Sequence, residues 1–263
     1  SIRSRSTLGT RNKHIEISIW DKFWAGKQVQ EIYPPVTDIT RELLPFINLA
    51  QKNILEVGAG TGRDSVKMRG HGAKVFLLDY SSESLRLARQ NLRSDDVVLI
   101  LANGLMSPFP DNTFDVVFHQ GLLEHFRSPH LLLEENRRIL KNGGLIVVDV
   151  PQTFHFYTLA KQTLQAAGLW FAGWERQFTI RSLTGLLKVH GFQPVHYYGD
   201  WSRPGIFYRM ARQAAAKVGI RLPMYPKYLG KLTEKFYALE EKLRKKRLFL
   251  YTTLSIGIIA RKI

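Results

Sequence analysis

Three glycines at alternate positions after a short apolar run could form the turn of a nucleotide-binding site. The apolar run and the turn lie within residues 53–65, whose sequence is NILEVGAGTGRDS, with glycines at positions 58, 60 and 62. Glycine-rich turns between a strand and a helix let a ligand approach the backbone closely, and the following helix presents its free N–H groups. Several cofactors use this geometry, so the spacing of the glycines must distinguish among them.

The glycine spacing argues against a nicotinamide or flavin cofactor. A dinucleotide-binding turn follows the pattern G-x-G-x-x-G, but Arg63 takes the place of its third glycine here. No G-K-[ST] tripeptide follows, which excludes a P-loop more firmly. The pattern present is E-x-G-x-G-x-G, and it begins at Glu56.

Extended apolar runs alternate with helical patterns along the chain. The runs are rich in Val, Ile and Leu, as is typical of strands buried on both faces of a parallel sheet; they span 53–57, 74–79, 97–102, 114–119 and 144–150. Helices are predicted over 81–92 and over 128–144, where Asn142 and Gly143 form the expected stop. Repeated β-α-β units predict an α/β, doubly wound sheet with helices on both faces.

The last third of the chain departs from this simple alternation. An aromatic-rich stretch over 153–177 is predicted as a helical insertion, and an amphipathic helix follows over 179–191. Residues 192–201 are predicted as a strand that pairs with a second strand over 248–260. We expect the aromatic insertion to form a lid, since lids in such folds close the site and exclude water.

Positive charge is concentrated at the two flanks of the chain. The formal net charge is +16; residues 1–14 contribute +4 and residues 202–263 contribute +12, which leaves residues 15–201 neutral. Within the second flank, basic amphipathic patterns lie around 206–218 and along 232–243. A charge distribution of this kind says little about the fold, but it indicates that the protein binds a partner with negative charge.

Composition excludes several classes of protein. The 263 residues are 44% hydrophobic, enough for a sizeable core, and no stretch reaches the roughly 18 apolar residues of a membrane-spanning helix. Cysteine is absent, which removes disulfides and thiolate sites and fits a cytoplasmic location. The basic N-terminal residues lack the apolar region of a secretory signal. The eight histidines show no metal-ligand spacing, so no metal is expected.

Five stretches resemble, in order, the class I S-adenosylmethionine-dependent methyltransferases, in the style of the small-molecule enzymes of ubiquinone and menaquinone biosynthesis. They are the glycine turn, LLDYS, ANGLMSPFPDNTFDVV, FHQGLLEHF and RRILKNGGLIVVDVP. The resemblance implies a Rossmann-like sheet of seven strands, mostly parallel with an antiparallel last strand, built on a core of residues 51–201. The remaining residues then divide into an N-terminal helical or cap segment (1–50), a basic helical insertion (202–247) and the final core strand (248–263).

The resemblance also implies the cofactor S-adenosylmethionine, with S-adenosylhomocysteine as product. Asp79 lies 23 residues after Glu56, where the family has an acid that accepts both ribose hydroxyls. Asn103 replaces an Asp of many relatives, and its side-chain oxygen can still accept from the adenine amino group. Tyr80 either covers the adenine or packs beside the third strand, and Gln120 is expected to face the methionine end. The full set of expected cofactor-binding residues is Glu56, Gly58, Ala59, Gly60, Gly62, Asp79, Tyr80, Asn103, Gly104 and Gln120.

Candidate catalytic residues follow from the chemistry of methyl transfer. Transfer from a sulfonium needs mainly alignment, and a base is needed only where the acceptor must lose a proton. His155, just beyond the fifth strand, and His125 are the candidates. Glu175 is expected to be a substrate contact or a member of an ion pair near Arg176. These residues leave O-, N- and C-methylation open.

The aromatic insertion and the basic helices predict a small, apolar or lipid-linked acceptor. Basic amphipathic helices suit an anionic membrane surface, so the leading hypothesis is a cytoplasmic enzyme that associates peripherally with a membrane. An RNA methyltransferase is the alternative, because basic flanks could contact phosphates, although no N-P-P-[YF] tetrapeptide or RNA-binding module is found. A protein that binds the cofactor without catalysis is the third hypothesis. The oligomeric state is left open.

Overall fold

Seven strands form one mixed sheet. A computed structural model describes residues 20–25, 38–92, 97–168, 174–201, 205–217, 219–223, 230–244 and 246–263. The strands are β1 (Asn53–Val57), β2 (Lys74–Asp79), β3 (Val98–Leu101), β4 (Phe114–Gln120), β5 (Leu140–Pro151), β6 (Phe192–Asp200) and β7 (Ser255–Lys262). Their order across the sheet is β3-β2-β1-β4-β5-β7-β6.

Strand directions confirm the predicted doubly wound sheet with an antiparallel last strand. Strands β1 to β5 pair in parallel with one another, and β7 pairs antiparallel with both β5 and β6. Because β2, β1 and β4 are adjacent, their carboxyl ends lie side by side. In open α/β sheets, that edge is where ligands bind.

Helices cover both faces of the sheet. They are α1 (Ile39–Leu43), α2 (Arg63–Gly70), α3 (Ser82–Leu92), α4 (Pro129–Ile139), α5 (Phe156–Ala166), α6 (Ile180–Val189), α7 (Ile206–Lys217) and α8 (Gly230–Leu243). Residues 20–24 are also helical. Within the described ranges, no helix combines the length and the apolar character required to cross a bilayer.

The buried apolar residues form two clusters, one on each face of the sheet. One cluster joins α4 and α6 to the sheet through side chains such as Leu132 and Leu183. The other joins α1, α2 and α3 to the opposite face through Leu43, Met68 and Ala88. Neighbouring residues of one strand enter different clusters, as β1 shows, so the strands are buried on both faces as their apolar runs predicted.

Two predicted boundaries were wrong. Helix α4 ends at Ile139 rather than at Asn142 and Gly143, because Leu140 takes an extended conformation and pairs with Phe114 of β4. Asn142 and Gly143 therefore lie within β5, where the pairing with β4 is irregular. The strand predicted over 248–260 begins only at Ser255, because residues 249–251 form a 3-10 turn.

The aromatic-rich stretch 153–177 is helical in part. Helix α5 accounts for its first half, and residues 174–177 are not helical. Residues 169–173 lie outside the described ranges, as do residues 1–19 and 26–37 of the expected N-terminal segment. The predicted lid therefore remains a prediction.

Tyr198 of β6 lies directly against the backbone of Gly257, its partner in β7. The Tyr198 side chain is fully buried, and a Cβ added to Gly257 would stand 1.9 Å from its Cζ atom. The tyrosine ring thus fills the space that a side chain at position 257 would need. Glycine is required there by packing.

Gly257→Ala is expected to lower the free energy of unfolding by about 1–3 kcal/mol, because the buried ring cannot move away without disturbing the core. Gly185→Ala is the matched control: Gly185 lies in α6 with no atom within 4 Å of an added Cβ, so alanine should stabilise the helix by about 0.5–1 kcal/mol. Urea unfolding of both variants checks the opposite signs. Equal changes in the two variants would contradict this account of Gly257.

Candidate functional site

The glycine turn (residues 58–62) connects β1 to α2 at the carboxyl edge of the sheet. Gly58, Gly60 and Gly62 all have positive φ angles, of 66°, 53° and 63°. Side chains with a Cβ rarely adopt this left-handed conformation, which explains the alternating glycines. The N–H groups of Gly58 and Ala59 both donate to the carbonyl of Leu78, which attaches the turn to β2.

Close contacts hold the glycine turn from two sides. A Cβ at Gly58 would come within 2.8 Å of Leu122, which follows β4. A Cβ at Gly60 would come within 3.4 Å of the Trp24 ring. The turn therefore lies between the segment after β4 and the helical residues 20–24.

Asp79, the last residue of β2, joins the glycine turn to the start of α3. Its Oδ2 atom accepts from the Gly60 N–H at 3.1 Å and from the Ser84 hydroxyl at 2.9 Å, and its Oδ1 atom accepts from the Ser81 N–H at 2.9 Å. Burial raises the pKa of Asp79, and these hydrogen bonds oppose that rise. The carboxylate thus fixes the turn that follows β1 and the helix that follows β2.

Glu56 is a second buried acid at the same edge. Its carboxylate accepts a short hydrogen bond from the Ser65 hydroxyl of α2. Burial raises the pKa of Glu56 well above its usual range, and the nearby acids Asp64 and Asp79 raise it further. A nearby cation lowers the pKa of a carboxyl group, so several buried acids with raised pKa values favour a ligand that carries positive charge.

The other expected cofactor residues lie at neighbouring strand ends. Tyr80 follows Asp79 directly, and Gln120 is the last residue of β4. The Asn103 side-chain oxygen accepts from the Leu105 N–H at 2.9 Å, which shapes the loop after β3. A Cβ at Gly104 would come within 2.9 Å of Val57, so this loop approaches the end of β1. Loop and glycine turn thus flank the same edge of the sheet.

The helical residues 20–24 lie over this edge, within the segment expected to be an N-terminal helical cap, but none of them was among the expected site residues. The Ser81 hydroxyl donates to Asp21 at 2.5 Å, and the Trp20 ring contacts His125 edge-on at 5.1 Å. Trp24 lies against Gly60, as described above. The signal available in the sequence was three aromatic residues at helical spacing, Trp20, Phe23 and Trp24.

A buried cluster of charged side chains lies beyond β4 and β5. Lys161 of α5 forms a short ion pair with Glu175, and both side chains are about 5% exposed. Glu124, in the 3-10 turn after β4, is also buried, and its carbonyl accepts from the Arg176 N–H at 2.6 Å. Glu175 is thus a member of an ion pair, and its partner Lys161 lies 14 residues earlier in the chain.

The two candidate catalytic histidines lie in the 3-10 turn after β4 and at the start of α5. His125 is next to Glu124 in the 3-10 turn, and burial lowers its pKa. His155 is the N-cap of α5, where its Nδ1 atom accepts from the Tyr157 N–H at 3.3 Å. Burial lowers the pKa of His155 as well. Their catalytic role stays a prediction.

Comparisons with known proteins point to one family. A family model described as a methyltransferase domain matches residues 55–148. The demethylmenaquinone methyltransferase of Clavibacter sepedonicus is 36% identical over 110 residues, which cover 41% of this chain and 44% of that protein. The ubiquinone biosynthesis O-methyltransferase of Thiobacillus denitrificans is 29% identical over 199 residues, covering 74% of this chain and 76% of that protein.

A solved structure shares the fold. The S-adenosylmethionine-dependent methyltransferase of Mesorhizobium loti superposes with a TM-score of 0.55 at 17% identity, over 85% of this chain and 96% of that chain. At this identity the likeness concerns the fold alone. The matched region spans less than half of the Clavibacter sepedonicus relative, so similarity to that enzyme is limited to the domain that carries the glycine turn.

Lys161→Met is expected to lower the free energy of unfolding by about 3–5 kcal/mol, because it leaves the Glu175 carboxylate buried without its partner. The double variant Lys161→Met, Glu175→Met should recover most of that loss, since it removes both buried charges. Lys67→Met is the control: Lys67 pairs with Asp38 at the surface, where a change within about 1 kcal/mol is expected. Denaturant unfolding measures all three, and a double variant less stable than the single one would contradict the ion-pair account.

Proposed function

Because the chain belongs to the class I S-adenosylmethionine-dependent methyltransferases, we propose that it transfers a methyl group from S-adenosylmethionine to a small, apolar or lipid-linked acceptor. The observation that carries this proposal is the connection between the glycine turn and Asp79. Three left-handed glycines bring the backbone close to the edge of the sheet, and the Gly60 N–H donates to the buried Asp79 carboxylate. A bound cofactor would supply the activated methyl group at this edge.

The residues present fit such a cofactor chemically. S-adenosylmethionine carries an ammonium and a sulfonium, and Glu56 and Asp79 are buried acids whose pKa values are raised. The glycine turn leads directly into α2, whose N-terminal N–H groups are suited to bind a ligand. Asp79 would accept from ribose hydroxyls in place of some of its present donors, since a carboxylate offers only about four acceptor positions. Asn103, Gly104, Tyr80 and Gln120 would line the remaining strand ends.

The outward face of α5 supports an apolar acceptor. Phe156 and Leu159 are 47% and 46% exposed, while Thr158 and Lys161 of the same helix are buried. This is the reverse of the usual arrangement, in which a surface helix turns its apolar side inward. Phe154, just before the helix, is 56% exposed. An apolar surface beside the carboxyl edge suits a ligand with a hydrocarbon portion.

Positive charge lies next to this apolar surface. Arg209 of α7 is close enough to Tyr157 to lower its pKa against the effect of burial. Helix α7 carries three basic residues and no acid, as its sequence IFYRMARQAAAK shows. Apolar and basic side chains together suit an anionic membrane surface, from which a lipid-linked acceptor would be drawn. The quinone-related names of the relatives are consistent with an acceptor of this class.

Methyl-labelled S-adenosylmethionine, incubated with the chain and a whole-cell extract, tests the proposed function. The label is then partitioned between organic solvent, RNA and small aqueous metabolites. We expect label in the organic phase and equimolar S-adenosylhomocysteine. Label in RNA would overturn the acceptor class, and tight cofactor binding without any labelled product would support a non-catalytic role.

Asp79→Asn is expected to weaken S-adenosylmethionine binding about 10- to 100-fold, because the amide is a poorer acceptor for ribose hydroxyls and for the Gly60 N–H. Asp111→Asn is the control, since Asp111 is an exposed acid that precedes the amino end of β4, away from the carboxyl ends of the strands. Isothermal titration calorimetry measures both dissociation constants, and circular dichroism shows that the variants are folded. Equal affinity of Asp79→Asn and the unmodified chain would remove Asp79 from the cofactor site.

A further inference from the structure

We propose that Glu124 accepts the proton of the methyl acceptor, and that the acceptor is therefore a phenol or another hydroxyl compound. This inference rests on the proposed methyl transfer and specifies its chemistry as O-methylation. The evidence is the position of Glu124, its unpartnered carboxylate oxygen and the charges around it.

Glu124 lies in a turn that contacts the glycine turn. The chain leaves β4 at Gln120, and Gly121 has a φ of 65° that redirects it across the strand ends. The Gly121 N–H donates to the Asp149 carbonyl of β5 at 2.9 Å, which fixes the start of the turn. The next residue, Leu122, is the side chain packed against Gly58. Glu124 is therefore held beside the edge at which the cofactor would bind.

One carboxylate oxygen of Glu124 has no donor. The side chain is 3% exposed, and its Oε2 atom has no hydrogen-bond partner among the described residues. A buried acceptor without a donor costs free energy, so such a group in a native structure requires an explanation. A hydroxyl group of a bound acceptor would donate to this oxygen.

The groups that face Glu124 come from three elements and from its own turn. They are Asp149 of β5, Lys161 of α5, Glu175 and the adjacent His125. Burial raises the pKa of Glu124 to about 8, and Glu175 and Asp149 raise it while Lys161 opposes them. A carboxyl group with this pKa is ionised in part at neutral pH and largely at about pH 9, and in its ionised form it is a stronger base than an ordinary carboxylate. Both nearby histidines have lowered pKa values, which makes them weaker bases.

The step balances as follows. The acceptor oxygen forms a bond to the methyl carbon while the carbon–sulfur bond breaks, and the electron pair of that bond goes to sulfur. The hydroxyl proton of the acceptor moves to the Glu124 carboxylate. The products are the methyl ether, the neutral thioether S-adenosylhomocysteine and a protonated Glu124, which returns its proton to water when the products leave.

Two phenols of different acidity test this assignment. Phenol itself has a pKa of about 10, like the tyrosine side chain, whereas 4-nitrophenol ionises near neutral pH. Glu124→Gln should lower kcat for phenol at least about 100-fold, but kcat for 4-nitrophenol by less than about tenfold, because the ionised probe needs no base. Glu134→Gln, an exposed acid on α4, is the control and should change neither rate. Equal losses on both phenols would overturn the proton-transfer role.

A binding measurement provides a readout without turnover. The chain is saturated with S-adenosylhomocysteine, and phenol is titrated in at about pH 9, where Glu124 is ionised and phenol is still neutral. Glu124→Gln should raise the dissociation constant of phenol about tenfold or more, because the hydroxyl loses a charged acceptor, and should leave that of anisole, which has no hydroxyl proton, unchanged. Equal affinity of phenol for the two chains would contradict the inference.

Failure of this inference is distinguishable from failure of the proposed function. If the unmodified chain binds S-adenosylmethionine and labels a product in cell extract but methylates neither phenol, O-methylation through Glu124 is wrong and methyl transfer stands. If no extract yields a labelled product, the proposed function itself fails. Calorimetry with S-adenosylmethionine shows that Glu124→Gln retains a folded cofactor site in either case.

Discussion

The arrangement of the candidate site depends on one buried carboxylate, that of Asp79. It accepts from the Gly60 N–H, the Ser81 N–H and the Ser84 hydroxyl, so one side chain connects the turn after β1, the end of β2 and the start of α3. Burial opposes ionisation of this acid, and the donors compensate for that cost. Without the connection, Gly58 and Ala59 would still be attached to Leu78 of β2, but the Gly60 N–H would lose its carboxylate acceptor. The site is therefore built around a charge that the fold itself must stabilise.

Aromatic and charged side chains divide the space around the carboxyl edge. Trp20 and Trp24 cover it from the N-terminal side, while Lys161, Glu175 and Glu124 form a buried polar floor beyond β4 and β5. Phe156 and Leu159 of α5 face outward, because the inward side of this helix carries Lys161. The exposed apolar residues of α5 and the buried Lys161–Glu175 ion pair thus have one cause, the inward position of Lys161. Both features lie on the side of the site proposed for the acceptor rather than on the side of the expected cofactor residues.

The sequence predicted the sheet and the glycine turn between β1 and α2 well because both follow local patterns. Buried runs such as 74–79 and the spacing of Gly58, Gly60 and Gly62 can be read without tertiary information. The stop at Asn142 and Gly143 failed because pairing of Leu140 with β4 overrode the turn signal. The Lys161–Glu175 pair and the Trp20–His125 contact join residues that no periodicity relates, so they became visible only in three dimensions.

The place of β7 in the sheet has a consequence for the order in which the fold forms. Strand β6 contacts the sheet only through β7, which lies between it and β5 although it follows β6 in sequence. Residues 192–200 therefore have no neighbouring strand to pair with until residues 255–262 have been synthesised. At roughly 5–20 residues per second of synthesis, this interval lasts several seconds. During that time β5 lacks the neighbour that later pairs with it, and an unpaired strand edge is a place where another chain can pair.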